Sequence, residues 1–184
     1  MPGMVVTSFS ISADAGTEGG RYKFSATLQS GKTPDLNSTA AAGSSAYANT
    51  TTTTLASASG VKVYNTDAVL TSFTTTIDYP AVFTGITSTG YDVVSRGAEC
   101  SVSHECQVKY DGNTKALINS FDTQTAAMAE NTFIVVNNGA FGVDTANGVL
   151  TNVAYSEGDV MMLDVSIKAV DDCTDELLIV DLSD

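Results

Sequence analysis

The side chains able to do chemistry are few, and one segment holds most of them. Cys100, His104 and Cys106 fall within residues 98–110; Cys173 is the third cysteine and His104 the sole histidine. A zinc-type centre needs three or four ligands within about 2.0–2.3 Å of the ion. His104 and Cys106 are next but one and can share a strand face, whereas Cys100 is two steps further and cannot join them while the strand is extended. Cys100 and Cys106 would lie roughly 20 Å apart on such a strand, too far to bridge. Cys173 arriving from another strand is the remaining route to a metal. The expectation is buried thiols in a reducing compartment and a histidine satisfied within a core or interface. No Gly-x-Ser-x-Gly nucleophile turn is present, and Gly19-Gly20 and Gly158 lack the lysine and following helix of a phosphate loop. Asp171, Asp172, Asp175 and Glu176 lack the order and glycine of a calcium loop and read as a solvated break. The sequence predicts no catalytic, metal or cofactor site, and a structural protein rather than an enzyme.

The element that carries these residues is itself the clearest signal in the chain. Ala98, Cys100, Val102, His104, Cys106, Val108 and Tyr110 alternate with Glu99, Ser101, Ser103, Glu105, Gln107 and Lys109. This period of two predicts one strand of roughly 40 Å with a packed face and a wet face. Such a strand needs a cover, and its edges need partners or blunting. Self-association would supply both, with neighbouring strands coming partly from other copies of the chain.

Composition narrows the function further. The chain has 184 residues, 43% hydrophobic and 16% charged, with 21 acidic and 8 basic side chains and a formal net charge of -13. A length of this order fits a single β-rich domain spanning 1–184. The acidic balance opposes binding through clustered phosphate contacts. No basic leader precedes an apolar run, and no stretch approaches the roughly 18 apolar residues of a membrane helix, so neither a signal peptide nor a membrane partner is expected.

Along the chain, Thr7, Phe9, Ile11 and Ala13 form one half-buried strand; Tyr22, Phe24, Ala26 and Leu28 form a second, paired with it as a hairpin whose polar face is basic. Residues 37–60 are rich in Ser, Thr and Ala, with five threonines at 50–54. They can bury little area against a backbone ordering cost of about 1–2 kcal/mol per residue, and read as an arm that orders against a neighbouring subunit through Thr50, Thr52, Thr54 and Leu55. Short strands follow at Val61 and Val63, with a turn at Asn65-Thr66-Asp67. Val69, Thr71, Phe73, Thr75 and Ile77 share one strand face, ended by Pro80. Residues 85–91 read as a loop. After Asp111-Gly112-Asn113, either a tight hairpin or a plain turn, Ala116, Leu117, Ser120 and Phe121 stand at helical spacing. Strands are expected at 133–136, 150–155, 161–169 and 177–180, with 140–149 either a strand broken by Gly142 or a loop. The sum is roughly eight mostly antiparallel strands and one helix, an antiparallel β-sandwich or small β-barrel with a flanking helix and a long flexible arm.

In order and character this profile resembles the tail tube proteins of long-tailed bacterial viruses. The strand Val69-Leu70-Thr71-Ser72-Phe73-Thr74-Thr75-Thr76-Ile77 is similar to that family's opening strand, and 97–110 to its long β element. Lys115-Ala116-Leu117-Ile118-Asn119-Ser120-Phe121 is similar to its helix, and 158–169 to its closing strand. The resemblance covers roughly residues 61–170; the N-terminal hairpin and arm and the acidic tail lie outside it. It implies a structural virion protein that self-assembles into stacked rings, hexameric in most members, forming a tube for transient, non-specific passage of DNA. The other implied partners are virion proteins, and the implied location is the virion, with the host cytoplasm during assembly. It carries no catalytic residues and no cofactor. Glu99, Ser101, Ser103, Glu105 and Gln107 become candidates for the lumen wall. Capsid, decoration or other coat proteins, and a carbohydrate-binding or adhesive β-sandwich, are the alternatives.

Overall fold

Alternating apolar and hydroxyl side chains build β1, Met4–Asp14, in which Ile11 and Ala13 are buried. The chain returns as β2, Lys23–Ser30, antiparallel to β1 with Ile11 opposite Phe24 and Phe9 opposite Ala26. The computed structural model describes residues 4–17, 20–31, 54–88, 90–97, 99–123, 131–137, 141–157, 159–171 and 176–181. The N-terminal hairpin is thus as expected in pairing but not in burial. All eight residues of β2 are exposed, Phe24 and Leu28 to 50% each. Phe24 meets the opposite layer edge-on at Phe141, with ring centroids 6.1 Å apart.

A short 3-10 turn, Leu55–Ser57, leads into β3, Gly60–Val63, and β4, Thr66–Asp67. The turn between them is Tyr64-Asn65, with φ of 49° and 59°, the positive values that a two-residue type I′ hairpin requires. The expected turn at 65–67 therefore ends one residue in, since Thr66 already pairs with Val63. Strand β5, Leu70–Asp78, has a register shift between Leu70 and Ser72 where it meets its neighbour. One extra residue reverses the alternation beyond it. Leu70 is buried and Val69 is 59% exposed, the opposite of the simple period. Pro80 stops β5 as expected, but 85–91 is not a loop. Strands β6, Ala81–Thr87, and β7, Gly90–Arg96, form a separate two-stranded hairpin, closed where the Thr87 hydroxyl donates to the Gly90 carbonyl at 2.8 Å.

The strand carrying His104 is β8, Ser101–Lys109, roughly 30 Å long. It is shorter than the sequence predicts, because Glu99, Cys100 and Tyr110 lie off the ladder and residue 98 lies outside the described residues. Its alternation is as read: Val102, His104, Cys106 and Val108 are buried. Next, the Asp111 carboxylate accepts from the Asn113 and Thr114 N–H groups at 2.9 and 3.0 Å. That geometry starts a helix rather than a tight hairpin. Helix α1, Lys115–Thr123, buries Leu117 and packs against the strand β11, Gly148–Ser156. At nine residues it is too short to persist alone, so this contact holds it.

The remaining strands are β9, Phe133–Asn137; β10, Phe141–Thr145; β12, Met162–Ala169; and β13, Ile179–Asp181. Gly142 does not break β10. At Gly148 a Cβ would sit 2.7 Å from Thr132 Cγ2 and 2.9 Å from the Lys168 carbonyl oxygen, so only glycine fits that approach. The described strands form a six-stranded sheet in the order β11-β12-β8-β5-β1-β2, a five-stranded sheet β13-β10-β9-β3-β4, and the β6-β7 hairpin. The protein is a mainly β fold of antiparallel sheets, packed in the manner of a sandwich, with one short flanking helix among the described residues. Ile11, Phe73, Val108, Leu163, Val165 and Ile167 from the six-stranded sheet meet Val63, Phe133, Val135, Phe141 and Val143 from the five-stranded one. Strand β8 has β5 on one side and β12 on the other, both from its own chain. Its edges therefore take no partner from a second copy, contrary to the expectation; among the described residues the outermost strands of its sheet are β2 and β11.

Candidate functional site

His104 is fully buried between the two large sheets. Its Nδ1 lies 2.9 Å from Thr75 Oγ1 on β5 and its Nε2 3.0 Å from Thr145 Oγ1 on β10. The ring stacks on Phe133, with centroids 4.4 Å apart. Burial holds the imidazole neutral, with its pKa lowered to about 3. A neutral ring offers one donor and one acceptor, and a threonine hydroxyl can answer either. Both nitrogens are thus occupied, and the residue works as a polar bolt through the sandwich. Cys106 lies on the same face, and burial, with the Asp164 charge second, pushes its thiol up to about 12. Cys100 is only half-buried, at the edge of the sheet, and both cysteines are free. Cys173 lies outside the described residues, as do Asp172 and Asp175. Among the described residues no three His, Cys, Asp or Glu side chains come together in a metal-holding group.

The outward face of the six-stranded sheet is a carpet of small polar side chains. Ser101, Ser103, Glu105 and Gln107 stand in register with Asp78, Thr76, Thr74 and Ser72 of β5. On the other side Ser103, Glu105 and Gln107 oppose Lys168, Ser166 and Asp164 of β12. Gln107 Nε2 donates to Asp164 Oδ1 at 3.0 Å and to Ser156 Oγ at 3.3 Å. Four of the five lumen candidates therefore share one surface. Glu99 does not lie on the strand; it stands beside Asp78, Cys100, Lys168 and Asp171 around a cavity of about 700 Å³ at the sheet's end. There Arg96 sits over the Tyr79 ring at 5.0 Å, and the Tyr79 hydroxyl is held above its ordinary range, first by its hydrogen bond to Cys100 and then by burial.

Of the arm candidates, Thr50 and Thr52 lie outside the described residues. Thr54 and Leu55 belong to the chain's own fold. Thr54 bridges Arg21 and its carbonyl accepts from Asn137 Nδ2 at 2.9 Å; Asn137 Oδ1 in turn accepts from the Tyr22 hydroxyl at 2.7 Å. Leu55 is 4% exposed and packs in the core, so it cannot serve as a contact with a neighbour.

Sequence reasoning missed the surface that tertiary packing leaves uncovered. Phe24 and Leu28 on β2, Val82 and Ile86 on β6 and Tyr155 on β11 are exposed, Ile86 to 89%. Period-two patterning marks such residues as inward-facing; it does not say where the opposing layer ends. No protein-family model matches the chain, and no curated protein matches it in sequence. Among the described residues no helix is long and apolar enough to cross a membrane.

Proposed function

We propose that this chain is a structural virion subunit that self-assembles into stacked hexameric rings forming a tail tube for DNA passage, with no chemical step. One observation carries the reading: exposed apolar side chains lie on sheet margins and on a separate two-stranded hairpin, at β2, β6 and β11. Monomeric β proteins blunt such margins, whereas assembling ones use them. The hydroxyl-rich outward face supports the same reading as a lumen wall. On β5, β8 and β12 of this face Asp78, Glu105 and Asp164 outnumber Lys109 and Lys168, so it would offer DNA a mildly acidic surface, and the net charge of -13 further disfavours sticking. Thr50 and Thr52 remain proposed inter-subunit contacts, and other virion proteins the proposed further partners. Negative-stain electron microscopy of the purified chain at high concentration tests this. Tubes or rings of uniform diameter are expected; closed shells would assign a coat role instead, and monomers at every concentration would overturn assembly altogether.

A further inference from the structure

We propose that Tyr110 and Tyr155 form an oxidative cross-linking site, at which a one-electron oxidant joins the two phenol rings into a dityrosine that staples β8 to β11 across β12. The proposal goes beyond the tail-tube reading and does not depend on it. Its basis is the only contact between two tyrosine rings among the described residues, with centroids 5.6 Å apart at 65°, edge to face. Tyr22 instead packs on Phe73 and Phe141, Tyr91 on Phe83, and Tyr79 lies beneath Arg96; Tyr64 is buried. Tyr110 continues the line of β8, its N–H donating to the Met161 carbonyl at 3.0 Å, and it packs against the core. Tyr155 stands opposite Leu163 on the far side of β12 and is 54% exposed. The two rings therefore meet over β12 from the strands that flank it. One is anchored, and the other can turn in solvent on the ps–ns timescale. Desolvation first, and then its hydrogen bond to Tyr110, holds the Tyr155 hydroxyl above its ordinary range. That contact brings together the hydroxyl-bearing ends of the rings, next to the ortho carbons that couple.

The step balances with hydrogen peroxide as terminal oxidant, delivered by a haem peroxidase. Each phenol gives up one electron and its hydroxyl proton and becomes a phenoxyl radical; the peroxide takes both electrons and both protons and leaves as two waters. One carbon–carbon bond forms between ortho carbons. The hydrogens on those carbons leave as protons while two protons return to the oxygens, so the protein ends two hydrogens lighter. Tyr155 takes the oxidant at the surface, and a hydrogen atom passing to it from Tyr110 across the hydroxyl contact lets the same ring serve as port for both oxidations. Competing sinks are distant or closed. The chain has no tryptophan, Cys106 is buried, and Cys100 stands at the other end of β8 from Tyr110, roughly 30 Å away. Met161, 53% exposed beside the pair, reacts with peroxide by oxygen transfer to its sulfur, which leaves the rings intact. The cross-link closes residues 110–155 into a loop and ties the outermost strand β11 to β8, so it restricts the unfolded chain as a disulfide does.

The test treats the dilute full chain with a haem peroxidase and hydrogen peroxide, and reads dityrosine by its blue fluorescence and by mass spectrometry of a tryptic digest. Cleavage after Lys109, Lys115 and Lys168 should release residues 110–115 joined to 116–168, from a protein that still runs as a monomer in denaturing gels. Tyr110→Phe and Tyr155→Phe keep the ring and drop the hydroxyl, and circular dichroism checks that each variant is folded. Each should lower the fluorescence yield at least about tenfold, because proximity in the fold supplies the rate. Oxidation of the wild type in urea should lose the preference for this pair. Compared with the untreated chain, the linked protein should unfold in urea with an equilibrium constant about a hundred- to a thousandfold lower. Linkage chiefly between chains or at other tyrosines, an equal 110–155 yield from the urea-unfolded chain, full fluorescence from either variant, or an unchanged urea midpoint in the linked protein would overturn the proposal. None of these results bears on ring formation, which microscopy reads separately.

Discussion

Acidifying the protein from pH 7 to pH 5 should cost it stability through one residue. His104 is the sole histidine, so in this window hardly any other side chain ordinarily titrates. Unfolded, its imidazole has a pKa of about 6.5; folded, burial lowers it to about 3. Thr75 and Thr145 could both accept from an imidazolium, so hydrogen-bond geometry does not oppose protonation. The obstacle is a charge placed between two sheets against the Phe133 ring. The sign follows from proton binding. Below pH 6.5 the unfolded chain takes up a proton that the folded chain refuses until about pH 3, so stability is full above pH 6.5 and falls as the pH drops. The linkage gives about 2 kcal/mol lost between pH 7 and pH 5, and on the order of 5 kcal/mol by pH 3, comparable to the whole stability of an ordinary domain. Asp144, whose carboxyl is raised by burial, works in the opposite sense and is removed by comparison with a variant. His104→Gln keeps a donor and an acceptor but does not titrate. Urea unfolding of both proteins at pH 7, 6 and 5, followed by far-ultraviolet circular dichroism because the chain has no tryptophan, measures the difference. Low protein concentration keeps association out of the result. The gap between the two profiles should narrow by about 2 kcal/mol toward pH 5. Parallel profiles, or an imidazole seen by NMR to titrate near its ordinary value in the folded protein, would refute the argument.

Gly148→Ala should destabilise the fold by about 1–3 kcal/mol, because the added methyl meets the Lys168 carbonyl and the Thr132 methyl in a contact neither can vacate; an unchanged urea midpoint would show the approach to be looser than described. Thiol labelling at pH 8 should modify Cys100 within minutes and leave Cys106 unmodified until the protein unfolds, since Cys106 is buried and its thiol is pushed up to about 12. Mass spectrometry of digests reads this directly, and early modification of Cys106 would contradict its placement in the core.

The patterns easiest to read were those set by neighbouring residues. Strand β8, its buried face, the β1-β2 hairpin, α1 around Leu117 and the Leu163, Val165 and Ile167 face of β12 all follow from periods of two or 3.6. Errors arose where one residue changed a phase or a turn. The shift at Leu70 and Ser72 exchanged Val69 for Leu70 in the core. Tyr64 took a positive φ that its type does not announce. The β6-β7 hairpin was missed because β6, exposed over most of its length, holds Gly85 and Ile86 where a buried-and-solvated alternation would be read. Among the candidate site residues, Ser101, Ser103, Glu105 and Gln107 share the outward face that the alternation implies, whereas Glu99 and Leu55 do not stand where the sequence placed them.

By itself, the sequence determined that β8 is two-sided, that His104 points inward and that the chain is mainly antiparallel β. Those are local facts, because an extended backbone sends successive side chains to opposite faces whatever lies beyond. Only the tertiary structure decided that β8 sits in the middle of its sheet, that Thr145 arrives from the other layer to meet His104, and that β2 and β11 are left at the margins. Strand order depends on contacts between residues far apart in the chain, and apolar patterning is the same for a covered face and a bare one. It is that difference, made by where the second layer stops, that leaves Phe24, Leu28 and Tyr155 in solvent.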